Sequence, residues 1–164
     1  MEINFLVAVI AVVLVVVGSV VWVRPSPRDK KLAAWRQQAL ISGLKVKLEG
    51  FKADPKVSGI RDDIEGTSYQ LFNSQPNKKD ELVWAVVLDQ GWLQDHLPEG
   101  WSWYKKQPAE PLVNPIVEQI KKAPLDIIGI ERTPYMSRIV WKETGKNFDP
   151  AVLKQFLVEV QAIS

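Results

Sequence analysis

The chain has 164 residues, 46% of them hydrophobic and 24% charged, with a formal net charge of +2 and no cysteine. That length fits one domain, or a small domain with an appendage, and excludes a multidomain enzyme. The near-neutral charge argues against a dedicated nucleic-acid binder, and the missing cysteine excludes disulfide scaffolds, thiol catalysis and Cys-ligated metals.

From Phe5 to Val23 every residue is apolar except Gly18 and Ser19. Such a run at helical rise approaches the ~30 Å of a bilayer core, so residues 1–23 read as a transmembrane anchor. Valine dominates it, and lipid would force helix despite β-branching because the backbone must satisfy its own hydrogen bonds there. A cleaved secretory signal is the rival reading. It would need positive charge before the run and a small-x-small site after it, but Glu2 is the only side-chain charge before the run and Val21-Trp22-Val23-Arg24-Pro25 offers no such site. Trp22, Arg24, Arg28, Lys30 and Lys31 are then the membrane-interface residues, and the positive-inside rule places the N-terminus outside and the rest in the cytoplasm.

Ser26-Pro27 with Asp29 in the first turn reads as the cap of a second helix running to about Ser42, stopped by Gly43. Residues 24–43 thus form a basic juxtamembrane helix and 44–164 an α+β cytoplasmic domain. Leu44 to Glu49 alternates strictly, which predicts a half-buried strand, and Phe51 to Gly66 reads as loop. Further strands are expected at Thr67 to Phe72 and Leu82 to Leu88, the second as a central strand from its continuous apolar run. Gln90 to Pro111 gathers Trp92, Trp101, Trp103 and Tyr104 among glycines and prolines, an aromatic loop ordered by buried rings. Asn114-Pro115 predicts a short helix, Leu125 to Glu131 and Ser137 to Glu143 a hairpin, and Asp149-Pro150 a last helix with a Val152, Leu153, Phe156, Leu157 and Val160 stripe. The fold class expected is α+β: a transmembrane helix, then a mostly antiparallel sheet of about five strands covered by helices.

Few constellations promise chemistry. His96 is the one histidine, and it lacks the nucleophile or second base of a hydrolytic site, so a loop or capping role is the simpler reading. Asp62-Asp63-Ile64-Glu65 bunches carboxylates without the alternating ligands and closing glutamate of a calcium loop. No cofactor is implied and no catalytic motif found. Trp92, Trp101, Trp103 and Tyr104 form the candidate partner surface, since interfaces favour such anchors, with core packing as the alternative. Charge is polarised: residues 24–56 carry nine basic and three acidic side chains, and residues 57–164 twelve and fifteen. Anionic headgroups would hold the basic part close.

Trp22-Val23-Arg24-Pro25 followed by Arg28-Asp29-Lys30-Lys31 resembles the start of the YajC family, single-pass accessory subunits of the bacterial Sec preprotein translocase, departing from it at Ser26-Pro27. The later sequence is similar to uncharacterised proteobacterial single-pass proteins. The resemblance covers about thirty residues and implies a bacterial inner-membrane setting. The expected function is a non-enzymatic membrane-tethered accessory or scaffold subunit, its partners an anionic bilayer and an integral-membrane complex rather than nucleic acid. The alternative is an anchored binding module gripping a peptide or small ligand with the Trp-rich loop.

Overall fold

The computed structural model describes residues 2–22, 25–76, 81–124, 126–144 and 148–163, without the side chains of 2–3 and 17–22. The elements are α1 (Glu2–Trp22), α2 (Pro27–Ile41), β1 (Lys45–Lys47), β2 (Thr67–Phe72), β3 (Trp84–Leu88), β4 (Trp101–Trp103), α3 (Glu110–Lys121), β5 (Ile127–Arg132), β6 (Met136–Trp141) and α4 (Pro150–Ala162). They divide into two compact units, Met1–Ala34 and Trp35–Ser164.

In the first unit, the large apolar side chains described in α1, from Phe5 to Val16, are exposed. Among the described residues no helix is long and apolar enough to cross a membrane. This overturns the transmembrane anchor in the expected fold class, the single-pass character and the inner-membrane placement with a cytoplasmic domain. Helix α2 begins on a reciprocal cap: the Asp29 N–H donates to Ser26 Oγ at 3.1 Å, and the Ser26 N–H donates to the Asp29 carboxylate at 3.1 Å.

The second unit is organised by one sheet of six strands rather than about five, in the order β1-β2-β6-β5-β3-β4 with every neighbour antiparallel. β5 and β6 form the hairpin, closed where the Thr133 N–H donates to the Met136 carbonyl at 2.8 Å. Strand β4 is the added one, short because Gly100 and the prolines around it leave only Trp-Ser-Trp free to pair with Val86 to Leu88. Helix α3 starts at Glu110 rather than Asn114 because Pro111 already presets the first turn. Asp149 caps α4 as the sequence predicts, its carboxylate accepting from the Ala151 N–H at 2.8 Å.

Period-two alternation gives the sheet two different faces. One row across all six strands, Val46, Tyr69, Ile139, Ile130, Val86 and Trp103, lies on the face toward α4. Helix α4 adds buried Leu153, Phe156, Leu157 and Val160, and Ser137 fastens it by donating from Oγ to the Leu157 carbonyl at 2.7 Å. The opposite face is covered by the segment expected to be only loop. Phe51, Ile60 and Ile64 are buried there against Ala85, Val87, Ile128 and Val140, and two isolated bridges, Phe51 with Ile64 and Asp54 with Ile60, fold the segment back on itself. That irregular cover leaves a rim, and the rim carries the site.

Candidate functional site

The structure separates the aromatic group that the sequence puts together. Trp101 and Trp103 are 9% and 0% exposed, and Trp103 is fixed from both sides, its N–H donating to the Leu93 carbonyl at 2.8 Å and its indole N–H to the Asp95 carbonyl at 3.2 Å. Tyr104 is half-buried, edge-on to Phe51 at 4.8 Å between ring centroids, and donates to the Lys52 carbonyl at 2.9 Å. Burial, reinforced by the nearby carboxylates of Asp54 and Glu131, pushes its phenol up. Trp92 alone of the four stands outward, 67% exposed.

Backbone contacts fix the position of Trp92. Ser102 Oγ donates to the Asp89 carbonyl at 2.6 Å and accepts from the Gly91 N–H at 2.8 Å, which pins the turn after β3. The Trp92 N–H donates to the Ser58 carbonyl at 2.9 Å, so this turn is docked on the one at 54–59, whose N–H groups at Ser58 and Gly59 converge on the Asp54 carbonyl. Gly59 has φ +80°, a conformation other residues adopt at a cost. A Cβ there would lie 2.4, 2.6 and 2.7 Å from Trp92 Cδ1, Cγ and Nε1, so one face of the five-membered ring of the indole rests on bare backbone. Beside it opens a polar cleft of about 410 Å³ lined by Gly59, Arg61, Asp62, Asp89, Gln90 and Trp92. Arg61, Asp62 and Gln90 are exposed and Asp89 is half-buried, with one Asp89 oxygen accepting from the Gln90 N–H at 2.6 Å. Sequence reasoning found Trp92 by its aromatic neighbours but missed Arg61 and Asp89, because only the docking of two turns thirty residues apart brings them together. Paired turn signals, Ser58-Gly59 and Gln90-Gly91, were the available clue.

A second polar cluster lies elsewhere in the same unit. Glu143, buried and at φ +54°, accepts from the Tyr69 hydroxyl at 2.7 Å, from Thr67 Oγ1 at 2.9 Å and from Arg36 Nε at 2.9 Å, while Arg36 Nη2 closes the fork. Burial pushes the Glu143 carboxyl up, but hydrogen bonds from Arg36, Tyr69 and Thr67, with the Arg36 charge, outweigh it and hold it below the usual carboxylate range. Burial, then the Glu143 carboxylate, raises the Tyr69 phenol. Trp141 stacks on Trp35 at 5.5 Å and on Phe148 at 5.8 Å beside this cluster, and Trp35 and Phe148 also meet at 5.7 Å, so the three rings form a triangle. Every acceptor position of Glu143 is thereby engaged by the protein itself, an arrangement that holds residues 35–41 of α2 against the sheet.

On the loop-covered face, Arg138 Nε donates to Glu131 at 2.5 Å, its guanidinium lies 4.6 Å from the Phe51 ring centroid, and Lys105 closes on the other Glu131 oxygen. This network is also internally satisfied. His96 is exposed, at φ +64°, with Nε2 3.7 Å from Glu110. Asp63 pairs with Lys52 at 2.7 Å and accepts from the Ala53 N–H at 2.8 Å, which leaves Asp62 to the cleft. Among the described residues no three His, Cys, Asp or Glu side chains are grouped to hold a metal ion. Of the expected membrane-interface set, Arg28, Lys30 and Lys31 are exposed on the first turns of α2, while the Trp22 side chain and the whole of Arg24 lie outside the described residues. No protein-family model, curated protein or solved structure matches this chain.

Proposed function

We propose that the chain is a non-enzymatic binding module, an accessory component that takes up its ligand or partner segment at the Trp92 cleft. One observation carries this reading. Of the tryptophans whose side chains are described, Trp35, Trp84, Trp101, Trp103 and Trp141 are at most 9% exposed, whereas Trp92 is 67% exposed and is held by backbone contacts over a polar cleft. An exposed indole fixed in place loses little freedom on binding, which is why tryptophan dominates recognition surfaces. A binding role also agrees with the chemistry of the carboxylates, since Glu143 and Glu131 are engaged internally and the Glu110 carboxylate 3.7 Å from His96 is, like the histidine, exposed.

The test compares the immobilised full chain with its Trp92→Ala variant as baits for a native extract, reading retained proteins by mass spectrometry and retained glycans by chromatography. A component held by the wild type and lost from the variant is expected. Identical retained sets would overturn the reading.

A further inference from the structure

The walls of the Trp92 cleft carry a mixed set of groups. Asp62 and Asp89 accept, Arg61 donates, the Gln90 amide does both, and Trp92 adds an aromatic surface. Each ligand class can be set against that list. A cationic side chain would suit the indole and the carboxylates, but Arg61 places a like charge in the same cleft, which weakens exactly that attraction. A phosphate or carboxylate would meet Arg61 and then face two carboxylates, the reverse of the donor-rich cradle that anions select. An apolar ligand would strip water from four polar side chains without replacing their hydrogen bonds.

A neutral polyhydroxylated ring meets none of these penalties. Each hydroxyl both donates and accepts, so carboxylates, amide and guanidinium can all be satisfied by one ring edge, with charge-assisted bonds to Asp62, Asp89 and Arg61. The faces of a pyranose present C–H groups rather than hydroxyls, and these lie against an indole as apolar surface. The cleft, at about 410 Å³, falls within the size range of small-molecule sites. The Ser58 carbonyl holds the Trp92 backbone and Gly59 backs one face of its five-membered ring, so the opposite face is a stacking platform that exists before the ligand arrives.

We infer that the Trp92 cleft binds a neutral saccharide, one sugar ring stacked on the Trp92 indole with its hydroxyls bonded to Asp62, Asp89, Gln90 and Arg61; this rests on the binding-module reading above. The experiment uses the full chain in a zwitterionic detergent without a sugar headgroup, because the exposed apolar side chains of α1 would otherwise associate. Cellotetraose, maltotetraose and chitotetraose are titrated in turn, with an oligolysine peptide and inorganic phosphate as charged probes, and tryptophan fluorescence and calorimetry as readouts. At least one neutral oligosaccharide should bind and shift the Trp92 emission, with affinity lowered about tenfold or more in Trp92→Ala.

Trp92→Phe, which keeps a ring, should retain most of the binding, and unchanged near-ultraviolet circular dichroism establishes that both variants are folded. Because the ligand is uncharged, its affinity should hold within about twofold between about 50 and 500 mM salt, whereas binding to a charged probe would weaken steeply. Saccharide binding that is equal in wild type and Trp92→Ala, or absent for all three oligosaccharides, overturns the inference. Preference for oligolysine or phosphate overturns it as well. The outcomes are separable from those of the bait experiment: a Trp92-dependent protein partner without saccharide binding leaves the module reading standing and removes this one.

Discussion

The Glu143 cluster and the Trp92 cleft are built from the same materials: carboxylate, arginine and tryptophan, assembled by chain segments far apart in sequence. They differ in where the partners come from. At Glu143 the protein supplies every partner, with Arg36, Tyr69 and Thr67 all donating to one carboxylate and Trp141 stacked alongside. At Trp92 the backbone is equally well tied, but the side chains of Arg61, Asp62 and Gln90 point to solvent. A closed cluster stabilises the fold, and an open one on a fixed backbone is available to something else. Substitutions should therefore move stability at the first and leave it alone at the second.

The largest effect belongs on the closed side. Trp141→Ala, at a fully buried ring flanked by Trp35 and Phe148, should lower unfolding free energy by about 3–5 kcal/mol, the range for large-to-small aromatic truncation. Phe156→Ala on α4 belongs in the same range, because its ring is buried with the α4 stripe. Urea denaturation followed by far-ultraviolet circular dichroism measures both. A loss under about 1 kcal/mol at Trp141 would show that the stack is not holding Trp35 and the sheet together.

Next comes the carboxylate itself. Glu143→Gln keeps the shape but leaves the Arg36 guanidinium without its counter-charge, and should cost about 1–3 kcal/mol near neutral pH, the lower part of that range being favoured because the Arg36 side chain is 31% exposed and screened. The direction of the pKa fixes the pH dependence. A carboxyl held below its ordinary value contributes stability above the unfolded pKa, near 4.3, and that contribution is lost as pH falls through the lower folded value. Wild-type stability should therefore fall toward acid more than that of Glu143→Gln, and the two curves should converge only once the pH lies below the lowered folded value. Parallel curves would mean that Glu143 is not the linked group.

How far these regions could be read in advance depends on the range of the interactions that make them. Strand β2 was legible to the residue, because alternation from Thr67 to Phe72 is a local property, and so was the start of α4, because Asp149-Pro150 caps within three residues. Strand β4 was not: three residues inside a glycine- and proline-rich run have no period, and pairing to β3 makes them a strand. The segment 51–64 read as loop for the same reason, though Phe51, Ile60 and Ile64 supply half a core. Tryptophan clustering pointed to the right region but could not sort Trp92 from Trp101 and Trp103, since that depends on which ring the turn at 54–59 meets. Glu143 gave no sign at all. Its role depends on Arg36, more than a hundred residues earlier.

A smaller effect is expected where the open region touches its support. Gly59→Ala puts a Cβ 2.4 Å from Trp92 Cδ1 at a residue with φ +80°, so the substitution should cost about 1–2 kcal/mol and also displace the indole. The two consequences separate in measurement, the first as a lowered melting temperature and the second as an altered accessibility of Trp92 to acrylamide quenching. A stability loss with unchanged Trp92 quenching would mean that the ring does not rest on Gly59.

The smallest effect is the one that carries the comparison. Trp92→Ala removes the most exposed of the described tryptophans, and while the Trp92 backbone bond to Ser58 is kept, the change should lie within about 0.5 kcal/mol of wild type. His96→Ala offers a control of equal size, since its side chain is 59% exposed and its Nε2 lies 3.7 Å from Glu110. Both variants should be silent in denaturation, yet only Trp92→Ala should lose whatever the cleft holds. If Trp92→Ala unfolds the chain as Trp141→Ala does, the indole is a core residue lying at the surface and the difference between the two regions disappears. If His96→Ala removes function while Trp92→Ala keeps it, the chemistry sits on the histidine loop and the non-enzymatic reading fails.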